Sequence, residues 1–313
     1  MSELAVLALI GDMLVRATPL ILTGLAVAFA FQAGILNIGA EGQLLIGAAC
    51  SAAITLKFGQ AFGAGIIIVS LIGGSLAGAT WAGIAAKLRT RFHVLEVIST
   101  IMLNFIALYV VSFLVRGPLQ EPTHIYPQTE TMPLYARLPK LVPGTRLHAG
   151  FAIAILAGVA GWWILRHTAA GFRLRAVGRN PSAARIAGKI NVGRTTRNVF
   201  LISGALAGLA GAIEVHGVTF ALYENLSPGY GYTAIAVALL AGLNPLWVIA
   251  TGIFFGALEA GASALQRDVG VPVTVASVIE ALIILAVLAL GSMRGLRALE
   301  SSTVINDPAA DGT

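Results

Sequence analysis

Charged residues are scarce in this sequence: 11% of its 313 residues, beside 57% that are hydrophobic. A soluble domain carries roughly 25% charged residues, so this chain lacks the means to hold its own surface in water. That excludes a soluble enzyme or binding module and leaves an integral membrane protein. Cysteine is almost missing. Cys50 stands alone inside an apolar run, which excludes an intramolecular disulfide and a cysteine-built metal cage and makes it a packing residue. His93, His124, His148, His167 and His216 are scattered, with no HExxH or comparable ligand spacing, and no GxSxG elbow supports intramembrane hydrolysis. A Walker A loop is missing too. The Gly188-Lys189 pair is followed by Ile190 instead of Ser or Thr, and Ala183 stands where the leading glycine belongs. If ATP drives this protein, another polypeptide binds it.

What the sequence does have is a series of apolar stretches, each about 20 residues and able to cross a hydrocarbon core of ~30 Å as a helix whose backbone groups are satisfied internally. They fall near 14–36, 40–57, 61–86, 96–115, 150–166, 199–220, 229–243, 246–265 and 271–291. The expected fold is all-α: a polytopic bundle of about eight to ten membrane segments, some short or interrupted, in a single transmembrane domain over 1–299 with a polar tail at 300–313. The opening "MSELAVLALIGD" has no basic n-region and no convincing cleavage site, and reads as a short interfacial or partly inserted helix.

Two loops differ in kind. Residues 116–149 hold Pro118, Pro122, Pro127, Pro133, Pro139 and Pro143, six of the twelve prolines, as expected of an irregular excursion. Residues 166–198 hold Arg166, Arg173, Arg175, Arg179, Arg185, Lys189, Arg194 and Arg197 and no acid. The positive-inside rule makes that loop cytoplasmic, together with Lys87, Arg89, Arg91, Arg294 and Arg297, and puts the proline-rich loop outside. The net charge of +6 reports this orientation, not a nucleic-acid surface. Nine crossings with a cytoplasmic C-terminus leave the N-terminus outside, unless residues 3–11 contribute a further crossing or one short segment is re-entrant. A weak internal echo relates "SLIGGSLAGATWAGI" at 70–84 to "LISGALAGLAGAI" at 201–213, either as two related halves or as generic small-residue helices.

Polar groups at membrane depth are costly and therefore informative. Glu41, Glu214, Glu259 and Glu280 fall within or near apolar segments. In "GILNIGAEGQLLIG" Gly39 and Gly42 let the backbone bend, and Asn37, Glu41 and Gln43 can satisfy the amide groups so freed. A counterpart, "SPGYGYTAIAVALLAGLNP", has Gly229 and Gly231 opening a short run closed by Asn244 and Pro245. Short, interrupted segments in two halves are a pointer to a translocation site; anchoring of helix ends is the alternative. Asn104, one turn after Ser99 and Thr100, either lines the path or bonds between helices. Phe105, Tyr109, Tyr230 and Tyr232 lie near these breaks, as stacking platforms or interfacial anchors.

In the basic loop, "GRNPSAARIAGKINVGR" marks a short helix at both ends. Asn180 caps it, Pro181 fits its first turn, and Gly188 is expected to end it in the left-handed conformation. Its small side chains suit either a close-fitting protein partner or a lipid surface. The run "NPSAARIAGKINV" resembles the coupling helix of bacterial ABC-importer permeases. With "GILNIGAEGQLLIGA", "EVISTIMLNFIALYVVSFLVRGPLQEP" and "LSPGYGYTAIAVALLAGLNPLWV", the chain over roughly 14–291 resembles the nucleoside and simple-sugar branch of the ribose and branched-chain amino-acid permease family. The resemblance implies a multi-pass permease subunit of a bacterial cytoplasmic membrane that works by alternating access. Its partners would be a second permease, an extracytoplasmic solute-binding protein that delivers a small polar solute, and an ATPase subunit that binds ATP and magnesium. No cofactor is expected in this chain. The ATPase contact is expected at Asn180, Pro181, Ala183, Ala184, Gly188, Ile190 and Asn191, and the pathway at Asn37, Glu41, Gln43, Asn104, Tyr230 and Tyr232. An ATP-independent channel or facilitator is the alternative that composition equally allows.

Overall fold

The computed structural model describes residues 3–188 and 190–269 and eight positions between 274 and 286. Lys189, Glu280, the rest of the expected 271–291 segment, Arg294, Arg297 and the polar tail lie outside the described residues. Among the described residues the regular elements are helices: α1 (Glu3–Gln32), α2 (Ala40–Phe62), α3 (Ile66–Phe92), α4 (Glu96–Arg116), α5 (Gly150–His167), α6 (Ala169–Arg179), α7 (Pro181–Ala187), α8 (Val192–Glu214), α9 (Tyr230–Leu240) and α10 (Pro245–Val269). Among the described residues six helical stretches are long and apolar enough to cross a membrane, and one of them, Ala40–Phe92, is the pair α2 and α3 folded back on itself at Gly63–Gly65. The protein is an all-α, polytopic membrane bundle.

α1 lies at the centre. From Ala17 to Ala30 its apolar side chains are buried against α5, α8, α9 and α10. Its two buried threonines spend their hydroxyls on the helix's own backbone: Thr18 donates to Leu14 O at 2.9 Å and Thr23 to Pro19 O at 2.6 Å. Helix α1 is continuous from Glu3, which corrects the expectation of a separate interfacial helix before residue 14. Gly11 and Asp12 read as a stop but have distant partners. Gly11 packs on Thr145, 3.0 Å from where a Cβ would sit, and Asp12 faces Arg146 at 4.0 Å. The helix ends at Gln32, short of the expected residue 36, because Gly34 takes φ +70° against the backbone of Gly178.

α2, α3 and α8 meet backbone to backbone. A Cβ on Gly78 would stand 2.3 Å from Gly204 O, and one on Gly208 2.4 Å from Gly74 O. Small residues permit such approach, and where lipid is the solvent it supplies much of the attraction between helices. The two echoing segments therefore pack against each other across the α3–α8 seam. Large apolar side chains instead face outward, among them Ile68, Ile72 and Leu76 on α3, Phe105, Tyr109 and Phe113 on α4, and Leu156 and Trp163 on α5. That is the opposite of a water-soluble bundle.

The molecule has two unlike ends. At one, the proline-rich segment pairs with the chain that follows α8: Thr129 N–H donates to Leu222 O, Met132 N–H to Phe220 O and Leu138 N–H to His216 O. Met132, Ala136 and Leu138 are buried, so this segment is a folded cap. Arg116 reaches Glu224 with two bonds of 2.6 and 2.8 Å, and with Ser112 also donating, holds the Glu224 carboxyl down at about 2. The basic loop with α6 and α7 forms the other end. The N-terminal end of α1 lies beside Thr145 and Arg146, at the proline-rich end.

Candidate functional site

The two glycine-flanked breaks come together. Gln43 and Asn37 exchange side-chain bonds at 3.2 and 3.3 Å, Asn37 Nδ2 also donates to Ser203 Oγ of α8 at 2.9 Å, and Gly39 N–H donates to Asn37 Oδ1 at 2.9 Å. From α4, Thr100 Oγ1 accepts from Ile38 N–H. Asn104 accepts from Gly42 N–H and donates to Ile38 O, each at 2.9 Å, and Asn104 Nδ2 also reaches the Tyr232 hydroxyl at 3.3 Å. Glu41 holds the start of α9: Gly231 N–H donates to its carboxylate at 2.7 Å, and Ser227 bonds the same group. A Cβ on Gly231 would lie 2.2 Å from the Glu41 nitrogen. The unwound end of one helix thus satisfies the unwound end of another, as irregular backbone at membrane depth requires.

Helix α9 itself is a half-crossing. Its 11 residues span only about 16 Å. Residues 220–229 descend from the proline-rich cap to the Glu41 contact, and α9 then runs to the basic end, where Gln32 Nε2 donates to Leu243 O at 2.5 Å. The predicted 229–243 segment is therefore a short helix that begins at the Glu41 contact and ends at Gln32.

Of the expected pathway residues, Asn37, Glu41, Gln43, Asn104 and Tyr232 share this polar knot, with exposures of 0%, 7%, 1% and 3% for the first four. Tyr232 is exposed, as are Phe105 and Tyr109 of α4. Tyr230 lies elsewhere, lining a cavity of about 300 Å³ at the proline-rich end with Asp12, Arg16, Arg146, Glu214, Tyr223 and Asn225. Arg16 there is 3.8 Å from Glu259, a charge pair the sequence reading missed. Ser203 and Ser227 were missed in the knot. A second buried cluster joins His216 to Ser51 Oγ at 2.8 Å and to Ala136 O at 2.6 Å. Because the carbonyl can only accept, Nδ1 carries the ring proton and Nε2 accepts from Ser51.

At the basic end, α7 is capped as its sequence dictates: Asn180 Oδ1 accepts from Ala183 N–H at 3.0 Å, with Pro181 in the first turn. Asn191 in turn caps α8, accepting from Arg194 N–H at 2.9 Å. Gly188 is a correction. It ends α7 at φ −104°, not in the left-handed region. Gly188 N–H and Ile190 N–H both close onto Ala184 O, and a Cβ would crowd the Ile190 side chain at 3.1 Å. Ala184, Ile190 and Val177 of α6 form a small core that seats the helix, while Ala183, Arg185 and Ile186 face outward. Ile186, 82% exposed, is the apolar tip of this hook, and it was not among the expected contact residues.

A bundle with discontinuous helices locked by a polar knot, and a short capped helix projecting from its basic end, belongs to the class of membrane transport subunits. Residues 9–288 match the family described as branched-chain amino acid transport system / permease component, and the chain belongs to that family. It is 40% identical over 286 residues to the glucose ABC transporter permease protein TsgB13 of Haloferax volcanii, covering 88% of this chain and 74% of the relative. To the guanosine ABC transporter permease protein NupP of Bacillus subtilis it is 39% identical, covering 89% and 80%. To the nucleoside ABC transporter permease protein NupB of Lactococcus lactis subsp. cremoris the identity is 34%, covering 88% and 78%. The chain is a transport component, a permease of ABC type.

Proposed function

We propose that this permease imports nucleosides, with simple sugars the second substrate class, across a bacterial cytoplasmic membrane, its basic end and C-terminus cytoplasmic. The relatives named for guanosine, nucleosides and glucose support these two classes. A second permease, identical or paralogous, completes the pathway along the face where Phe105, Tyr109 and Tyr232 are exposed. Large exposed aromatics beside a polar knot suit a solute with both an apolar face and hydroxyls. The knot of Asn37, Glu41, Gln43 and Asn104 spends its bonds on itself. Its role is to fasten α2, α4, α8 and α9 so that they move as units when access alternates. Tyr230 belongs to the outer vestibule.

A separate ATPase binds ATP and magnesium, and a solute-binding protein docks on the proline-rich end. The observation that carries the coupling is α7: Asn180, Pro181, Ala184, Gly188, Ile190 and Asn191 build and seat the helix, and Ala183 and Ile186 meet the ATPase. The test is uptake into proteoliposomes holding this chain with permease, ATPase and binding-protein partners. ATP-dependent accumulation of a nucleoside supports the reading, whereas equilibration without ATP or partners returns the facilitator.

A further inference from the structure

A second cavity, of about 410 Å³, opens at the proline-rich end and shares Arg146 and Val218 with the Tyr230 vestibule. Leu134, Arg137, Lys140, Arg146, His148 and Phe220 are among its lining residues, and no acid is. His148, 1% exposed, accepts from Gly150 N–H at Nδ1, 3.2 Å away. In the neutral ring the proton then sits on Nε2, and among the described residues that buried nitrogen has no hydrogen-bond partner. A buried donor without an acceptor is costly, and structures rarely leave one so. Nothing larger than hydrogen fits at Gly217, where a Cβ would meet the ring at 2.6 Å, so the imidazole is pinned in place. Arg137 is held over the Phe220 ring at 4.4 Å, and Phe220 adopts φ +54°, a conformation rare for a bulky residue. Among the described residues neither Arg137 nor Lys140 forms an ion pair.

From this convergence of a buried, acceptor-seeking His148 with Arg137 and Lys140 around one cavity, beside an Arg146 that also faces Asp12, we infer a binding site for a phosphate group. The same chemistry comes from free phosphate or from a phospholipid headgroup. Guanidinium and ammonium groups supply the charge, and His148 supplies a directional bond to one oxygen.

The full-length chain, purified in detergent without phosphate, is titrated with inorganic phosphate and separately with dihexanoyl phosphatidylglycerol, with chloride as control, and its Tm is followed. The expected result is a rise of about 2 °C or more near saturation. Lys140→Gln should weaken the response at least ~3-fold, and Arg137→Gln/Lys140→Gln should remove it. A response to inorganic phosphate assigns a free anion; a response to the lipid alone assigns a headgroup. If the double variant does not fold, the exposed Lys140→Gln decides alone, and an unchanged midpoint overturns the site. Failure of both phosphates to act overturns it as well. So does failure accompanied by loss of binding-protein-stimulated uptake in Lys140→Glu, which would give the cavity to a protein carboxylate.

Discussion

Asn104 ties two helix ends with one amide, accepting from Gly42 and donating to Ile38. Removing it leaves both backbone groups buried and unpaired, at roughly 1–3 kcal/mol each. Asn104→Ala should therefore lower the Tm of the detergent-solubilised protein by several degrees, whereas Phe105→Ala on the same helix should barely move it. Equal effects would mean the knot is not a fastener. His148 gives a pH dependence. Burial, then Arg146, pulls it from an ordinary 6.5 down to about 4, so the fold favours the neutral ring. The stabilisation is complete above about pH 6.5 and drains away as pH falls toward 4, by up to about 3 kcal/mol. His148→Gln should flatten that part of the Tm profile; an unchanged slope would contradict it. Asn37, Gln43 and Asn104 could be singled out because an amide side chain in an apolar run must find a hydrogen-bond partner, and the partners here lie on other elements. Ser203 was not, since hydroxyls in membrane helices commonly bond their own backbone, as Thr18 and Thr23 do, and Ser227, in the irregular stretch before α9, carries no local mark of its partner.

Among the elements, α7 was the most readable, because caps are local chemistry. Asn180 and Pro181 sit as their types require. Its end at Gly188 was misread because Ile190 folding back onto Ala184 is a tertiary event. That seat changes which substitutions are informative. A bulky residue at Ala184 would break the core with Ile190 and Val177, so the clean probes face outward. Ala183→Trp and Ile186→Asp should each cut ATP-driven uptake at least ~10-fold while leaving Tm within about 1 °C. Normal uptake in both would remove the coupling role. On the α3–α8 seam, Gly208→Leu should prevent recovery of folded protein or lower Tm by 5 °C or more (about 2 kcal/mol or more at this chain length), since overpacking costs about 1–3 kcal/mol even where the backbone can yield. α1 was misjudged at both ends, where Asp12, Gly11 and Gly34 answer to residues more than a hundred positions away.

At the scale of the whole molecule, the membrane class, the all-α fold and the two unlike ends follow from composition, segment length and charge placement, which are global properties and survive local errors. How the two broken helices meet was not readable, because it is fixed by the close backbone contact between Gly231 and Glu41. The central claim is that this bundle converts ATP hydrolysis elsewhere into vectorial movement of a nucleoside or sugar here. Its most direct measurement is accumulation of labelled guanosine and glucose in proteoliposomes of the assembled transporter, with ATP and with a non-hydrolysable analogue. The account predicts concentrative uptake of one solute class that requires hydrolysis, the binding protein and an intact α7. Equilibration to equal concentrations without ATP, unchanged by Ile186→Asp, would contradict it.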